Sequence, residues 1–160
     1  MSFRAALVDD LRAEASINSI VETRVFGMFY EFEDFLNSSA NSVSKFPALT
    51  IEQDNWEREN NLDSHDNLIY ASYTITCYQV VNLSKLKSRS QSVRDKERDK
   101  LREVDTLQDA VVNYLIDKKG AVGSYTLLKS HVENIADGVF ESERNREIIT
   151  KEITYSITFS

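Results

Sequence analysis

The chain has 160 residues, of which 41% are hydrophobic and 28% charged, and its formal net charge is −7 at pH 7. A chain of this length can bury roughly 70% of the surface it exposes when unfolded, so it can fold as one domain without a disulfide or a structural metal. No apolar run approaches the ~20 residues of a membrane-spanning helix, and an acidic chain repels phosphate, so neither membrane insertion nor general nucleic-acid binding is expected.

The first predicted element is an amphipathic helix over residues 2–15, with Ser2 as its N-cap. The β-prone, aromatic stretch 24–30 predicts a first strand. Residues 37–45 are rich in Ser and Asn and predict a loop, and residues 46–53 predict a short second strand.

The middle of the chain alternates between polar stretches and one clear strand. Residues 54–67 are interpreted as an exposed connection. Residues 68–82 predict a long strand, because its odd positions are largely apolar and its even positions carry hydroxyl groups. Residues 83–100 are charged and lack a core pattern, so they predict a protruding loop that turns helical near Ser92.

The last part of the chain predicts a helix over residues 101–118, with an apolar stripe on one side. Residues 125–128 predict a short strand or turn, residues 131–141 a strand disturbed by Gly138, and residues 149–159 a closing strand. The order of elements predicts a single α+β domain over residues 1–160, with one mainly antiparallel sheet and two helices packed on one face.

Candidate catalytic and metal-binding groups do not converge in the sequence. The glycines are too scattered for a phosphate-binding loop, no serine lies in a nucleophile elbow, and Cys77 lies mid-strand on an apolar face, where a thiol is inert. His131 has no matching constellation of other groups. We therefore predict that the chain is not an enzyme and holds no cofactor or metal.

Two acidic stretches are alternatives to that prediction. His65 lies among the carboxylates of residues 54–66, whose spacing matches no Ca²⁺ loop, so a solvated loop is the preferred interpretation. The alternative is a metal-dependent nucleic-acid enzyme that uses these carboxylates. The second stretch contains Glu31, Glu33 and Asp34 between aromatic residues and is interpreted as an acidic loop.

Residues 85–102, here called the basic segment, hold eight basic and three acidic side chains, a net charge of +5. The rest of the chain therefore carries −12. One interpretation is a solvated loop; the other is an arm that docks on the acidic surface of a neighbouring protein or approaches DNA phosphate. The predicted partner-binding residues are Lys85, Lys87, Arg89 and Arg94.

The order of these features resembles a known family. An N-terminal helix is followed by RVF at 24–26, a loop, FPALTI at 46–51, the long alternating strand, a helix containing DTLQDAVVNYL at 105–115, and the closing strand. In this order the chain resembles the tail terminator (tail-completion) proteins of long-tailed phages. The stretches 54–67 and 83–100 depart from the family pattern as enlarged loops.

The resemblance implies a non-enzymatic virion protein. Members of the family form a ring, commonly a hexamer, that caps the finished tail tube and provides the docking surface for the head connector. The implied partners are further copies of the chain, the tail tube protein and the head-completion or connector protein, while DNA passes through the lumen without specific binding. The implied location is the head-proximal end of the virion tail, after assembly in the host cytoplasm. Another virion tube or neck subunit is the alternative within this class.

Overall fold

The computed structural model describes residues 2–28, 31–32, 46–59, 68–116, 118–143 and 146–160. Within these ranges the chain forms four helices: α1 (Phe3–Ala13), α2 (Ala15–Val21), α3 (Leu83–Leu86) and α4 (Gln91–Leu115). The strands are β1 (Val25–Phe26), β2 (Ala48–Glu59), β3 (Leu68–Asn82), β4 (Gly120–Val122), β5 (Tyr125–Glu143) and β6 (Arg146–Phe159). No helix in the described part of the chain is both long and apolar enough to span a bilayer.

The strands form one six-stranded sheet in the order β1-β2-β3-β6-β5-β4. The prediction of a single sheet is confirmed, but the sheet is mixed, because β1 pairs with β2 in parallel while all other described pairs are antiparallel. A parallel pair needs a long crossover between its strands, and the segment between Phe26 and Ala48 supplies that length. Strand β6 lies between β3 and β5, so it joins the two halves of the sheet.

The predicted strand 68–82 has the bounds that the structure shows for β3. Its odd-numbered side chains from Ala71 to Cys77 are buried, as the alternation predicted. They belong to one hydrophobic cluster with side chains of other strands and of three helices. Representative members from the helices are Phe3 and Leu7 of α1, Ile17 of α2, and Val104, Leu107 and Val111 of α4.

A second, smaller cluster includes Tyr78, which points to the opposite side of β3 from Cys77. Phe32 and Ala48 are its other buried members. The ring centroids of Phe32 and Tyr78 are 4.6 Å apart, and Thr50 donates a hydrogen bond to the Tyr78 hydroxyl at 3.3 Å. Part of the second face of the sheet is therefore also buried.

Several boundaries differ from the predictions. Residues 54–59 continue β2 instead of forming a connection, because β3 pairs with this polar stretch as far as Glu59, across a bulge between Gln53 and Asn55. Within the described part of the predicted strand 24–30, residues 24–28, only the two residues of β1 are in a strand. The predicted loop 37–45 lies outside the described residues.

The region after α4 also differs from its prediction. The helix ends at Leu115, not at residue 118, and β4 is an unpredicted strand. The segments 125–128 and 131–141 belong to one strand, β5, whose register against β6 shifts at three places. Such bulges absorb extra residues without ending a strand, which explains why the sequence suggested two pieces. Gly138 is part of that strand, and a Cβ there would lie 2.9 Å from the Thr150 hydroxyl.

Candidate protein interface

The described residues offer little for catalysis. No group of three or more His, Cys, Asp or Glu side chains is placed to hold a metal in the part of the chain that the structure describes. Asp54, from the predicted carboxylate stretch, accepts a hydrogen bond from Thr74 at 2.6 Å. His65 and the remaining carboxylate side chains of residues 57–66 lie outside the described part of the structure.

The other residues considered for chemistry lie apart from one another. Cys77 is fully buried, and burial raises the pKa of its thiol. His131 is exposed on β5 and lines a shallow groove of about 340 Å³ with Lys129 and Glu133. Glu31 accepts a hydrogen bond from the Gly27 backbone N–H at 3.1 Å, while Glu33 and Asp34 lie outside the described residues.

Most of the basic segment is helical: the predicted loop is confined to residues 87–90 between α3 and α4, and the predicted turn to helix near Ser92 is confirmed. Helix α3 is capped by Asn82, whose side-chain oxygen accepts a hydrogen bond from the Lys85 backbone N–H at 3.2 Å. Helix α4 starts at Gln91, one residue before the expected turn to helix at Ser92. A charged sequence without an apolar stripe can be helical when i,i+3 and i,i+4 pairs and polar contacts support it.

A buried carboxylate fixes the start of α4 against the sheet. Glu97 accepts a hydrogen bond from the backbone N–H of Asn82 at 3.0 Å and forms an ion pair with Lys100 at 3.0 Å. Burial by itself would raise the pKa of Glu97, but the Asn82 hydrogen bond and the nearby Lys100 and Lys85 leave that pKa below its ordinary value. Glu97 is therefore charged at neutral pH and holds the basic segment to the end of β3.

The four predicted partner-binding residues divide into two groups. Lys85, Lys87 and Arg89 are exposed around the turn from α3 to α4, and none forms an ion pair with another described residue. Arg94 is half-buried and donates hydrogen bonds to the backbone oxygens of Ser88 at 2.7 Å and Arg89 at 3.2 Å. Arg94 thus shapes the turn, and Lys85, Lys87 and Arg89, here called the basic tip, are exposed to solvent.

A groove lies between the start of α2 and the C-terminal half of α4, with a volume of about 500 Å³. Here called the α2–α4 groove, it is lined by Glu14, Ser16, Thr106, Asp109, Asn113 and Tyr114, among others. The sequence does not indicate this groove, because its two walls are some ninety residues apart in the chain. One wall could have been predicted from the polar face of the 101–118 helix, which lies opposite its apolar stripe.

One wall of the groove is fixed by a polar network. The Tyr114 hydroxyl donates a short hydrogen bond to the Asp10 carboxylate and accepts one from Lys118 at 2.7 Å. Lys118 also forms an ion pair with Asp10 at 3.2 Å. Burial and the Asp10 carboxylate raise the pKa of Tyr114, so its hydroxyl stays protonated and continues to donate. The network ties α1 to the end of α4.

Comparisons with known proteins show a similarity of fold. No protein-family model matches the chain, and no curated protein matches it. Among solved structures, its fold is similar to that of a chain from the "Virion of native gene transfer agent (GTA) particle", with a TM-score of 0.56. The alignment covers 98% of this chain and 94% of that chain, at 11% sequence identity. At this identity the similarity shows a shared fold over nearly the whole length of both chains.

Proposed function

We propose that this chain is a structural component of a phage-type virion and acts as its tail terminator. In this role a ring of copies, expected to be six, caps the tail tube and provides the surface on which the head connector docks. The observation that carries the proposal is the fold shared with a chain of a gene transfer agent virion over 98% of this chain. The order of elements that resembles tail terminator proteins supports the same role independently.

The charge distribution is compatible with a ring through which DNA passes. The net charge outside the basic segment is −12, and a surface of this sign discourages adhesion of DNA. In a ring each copy contacts its neighbours through two different patches, because the interface is heterologous. A single domain that carries a basic tip on an acidic body has two such patches of opposite charge.

Native mass spectrometry and negative-stain electron microscopy of the purified protein test the proposal. A closed ring that binds the end of a preassembled tail tube, and then allows heads to attach, is the expected result. A chain that stays monomeric at every concentration and with tubes present would contradict it. Stacking of rings into long tubes would assign the chain to the tube instead, and binding to heads without tubes would assign it to the neck.

A nuclease assay with added divalent metal addresses the enzyme alternative. The proposal predicts no cleavage of double- or single-stranded DNA with Mg²⁺ or Mn²⁺. Metal-dependent cleavage that is lost when Asp54 and Asp63 are replaced by Asn would favour the alternative over the virion role.

A further inference from the structure

Two sets of charged side chains form no ion pair within the part of the chain that the structure describes, although Glu14 accepts a hydrogen bond from Ser16 at 3.3 Å. The basic tip (Lys85, Lys87 and Arg89) forms no ion pair with a described residue, and neither do Glu14 and Asp109 in the α2–α4 groove. Between the two, several charges on α4 are paired, Lys100 with Glu97, Arg102 with Asp99 and Asp105 with Lys151, whereas Lys96 and Arg98 form no ion pair with a described residue. The helix therefore leaves unpaired positive charge beside its start and unpaired negative charge near its end.

One copy cannot bring these two surfaces together. Helix α4 has 25 residues, and at ~1.5 Å per residue Asp109 lies roughly 27 Å along its axis from Gln91. No side chain spans that distance. The start of α4 is also held in place, by Glu97 on the end of β3 and by Arg94 on the turn before it.

We propose that the α2–α4 groove of one copy receives the basic tip of the next copy. The inference rests on the proposed ring and names the two surfaces that meet within it. Oppositely charged patches at the two ends of one rigid helix make a head-to-tail contact, in which each copy gives its tip to one neighbour and its groove to the other. This arrangement is the heterologous interface that a ring requires.

The chemistry of the groove suits lysine and arginine side chains. Besides the two carboxylates, Ser16, Thr106 and Asn113 present oxygen atoms that accept hydrogen bonds from an ammonium or guanidinium group. The volume of about 500 Å³ is large enough to admit side chains of this size. The Tyr114 wall is fixed by Asp10 and Lys118, so the groove needs little reorganisation to bind.

A charge exchange between the two surfaces tests the pairing. The tip variant is Lys87→Glu with Arg89→Glu, and the groove variant is Glu14→Lys with Asp109→Lys. Each variant alone is expected to weaken association between copies at least about tenfold in sedimentation at low salt. Both sets of substitutions combined in one chain are expected to restore it. The matched control is Lys96→Glu with Arg98→Glu, which makes the same charge change on exposed residues of α4 outside the tip.

The outcomes separate this inference from the proposed function. If the ring forms equally well in all variants, the tip-to-groove pairing is wrong but the proposed ring is not contradicted. The same conclusion follows if the combined variant melts like the wild type but does not restore association. A wild-type protein that never associates would overturn both the pairing and the proposed ring. Loss of association in the control variant as well would show a general charge effect and would also overturn the pairing.

A crosslinking experiment gives a second measurement that does not depend on charge reversal. Chains carrying Arg89→Cys are mixed with chains carrying Asp109→Cys and treated with a short bis-maleimide. Cys77 is fully buried and does not compete for the reagent. Crosslinked dimers should form only in the mixture. Equal crosslinking of either chain alone would contradict the tip-to-groove contact.

Discussion

The carboxylate of Glu97 accepts a hydrogen bond from the backbone N–H of Asn82 at 3.0 Å, across the junction between α4 and the end of β3. This contact is polar, buried and remote in sequence. It positions the basic segment, on which the proposed interface depends.

Replacement of Glu97 should destabilise the protein in a pH-dependent way. Glu97→Ala leaves the partly buried Asn82 N–H without its acceptor and should cost about 1–3 kcal/mol at pH 7. Glu97→Gln keeps an acceptor oxygen and should cost less. The pKa of Glu97 is lowered in the folded state, so its contribution is present above the unfolded pKa and is lost as pH falls through the folded pKa.

Urea denaturation between pH 7 and pH 3 measures this effect. The difference in unfolding free energy between wild type and Glu97→Gln should shrink toward acid pH. Asp99→Asn is the control, because the Asp99–Arg102 pair is exposed and should contribute under about 1 kcal/mol. A difference that stays constant over the whole range would show that the carboxylate charge is not the cause.

Replacement of Arg94 and replacement of Arg89, both beside the α3–α4 turn, should have different effects on stability. Arg94→Gln removes two hydrogen bonds to backbone oxygens and should lower the free energy of unfolding by about 1–2 kcal/mol. Arg89→Gln should leave stability within about 0.5 kcal/mol, because its side chain is exposed. Thermal melting of the two variants compares them directly. Equal stability loss in both would show that Arg94 has no special structural role.

How far the sequence predicts the fold depends on which interactions build each element. Strands β3 and β6 were predictable because their inward side chains alternate, as in the run from Ile153 to Phe159. The first half of α4 was predicted only as a loop that turns helical near Ser92, because this stretch has no apolar periodicity and is held by polar contacts such as Glu97 with Asn82. Strand β1 has only two residues, and its parallel pairing with β2 is a tertiary feature.

The candidate site was predictable only in part. Lys85, Lys87 and Arg89 stand out in the sequence as a local excess of charge. The α2–α4 groove does not stand out in the sequence, because Glu14 and Asp109 come close to each other only when α2 packs against α4. The structural role of Arg94 was also hidden, since its partners are backbone oxygens and not side chains.

Two glycines with positive φ provide a matched pair for substitution. Gly123, in the two-residue turn between β4 and β5, has φ +60°, and a Cβ there would lie 2.7 Å from the Cβ of Ala6. Gly120 has φ +99° with no atom within 4 Å of such a Cβ. Gly120→Ala should cost about 1–2 kcal/mol from backbone strain alone, and Gly123→Ala about 1–3 kcal/mol more because α1 must move. Chemical denaturation of both variants measures the difference, and equal costs would rule out the contact with Ala6.

Lys151 links α4 to the β5–β6 hairpin. Its ammonium group lies 3.2 Å from a carboxylate oxygen of Asp105 and 3.0 Å from one of Asp137. Lys151→Met should cost about 1 kcal/mol, a small value because both carboxylates are largely exposed. A double-mutant cycle with Asp105→Asn should give a coupling of about 0.5 kcal/mol, and a coupling of zero would show that the pair contributes nothing.

Cys77 should not react with thiol reagents in the folded protein. Its side chain is fully buried in the centre of the sheet, and burial raises the pKa of the thiol, so little thiolate is present or reachable. Labelling with a chromogenic disulfide should proceed only in denaturant, at the rate of global unfolding. Rapid labelling in native buffer would mean that β3 opens locally.

The position of β6 determines when the sheet can be completed. Among the described strands, hydrogen bonding between the half made of β1, β2 and β3 and the half made of β4 and β5 runs through β6. During synthesis the ribosome therefore releases both halves before the strand that connects them, and each half exposes an unpaired edge in the interval. Completion of the sheet has to wait for β6, and during this delay the unpaired strand edges are exposed to misassociation with other copies.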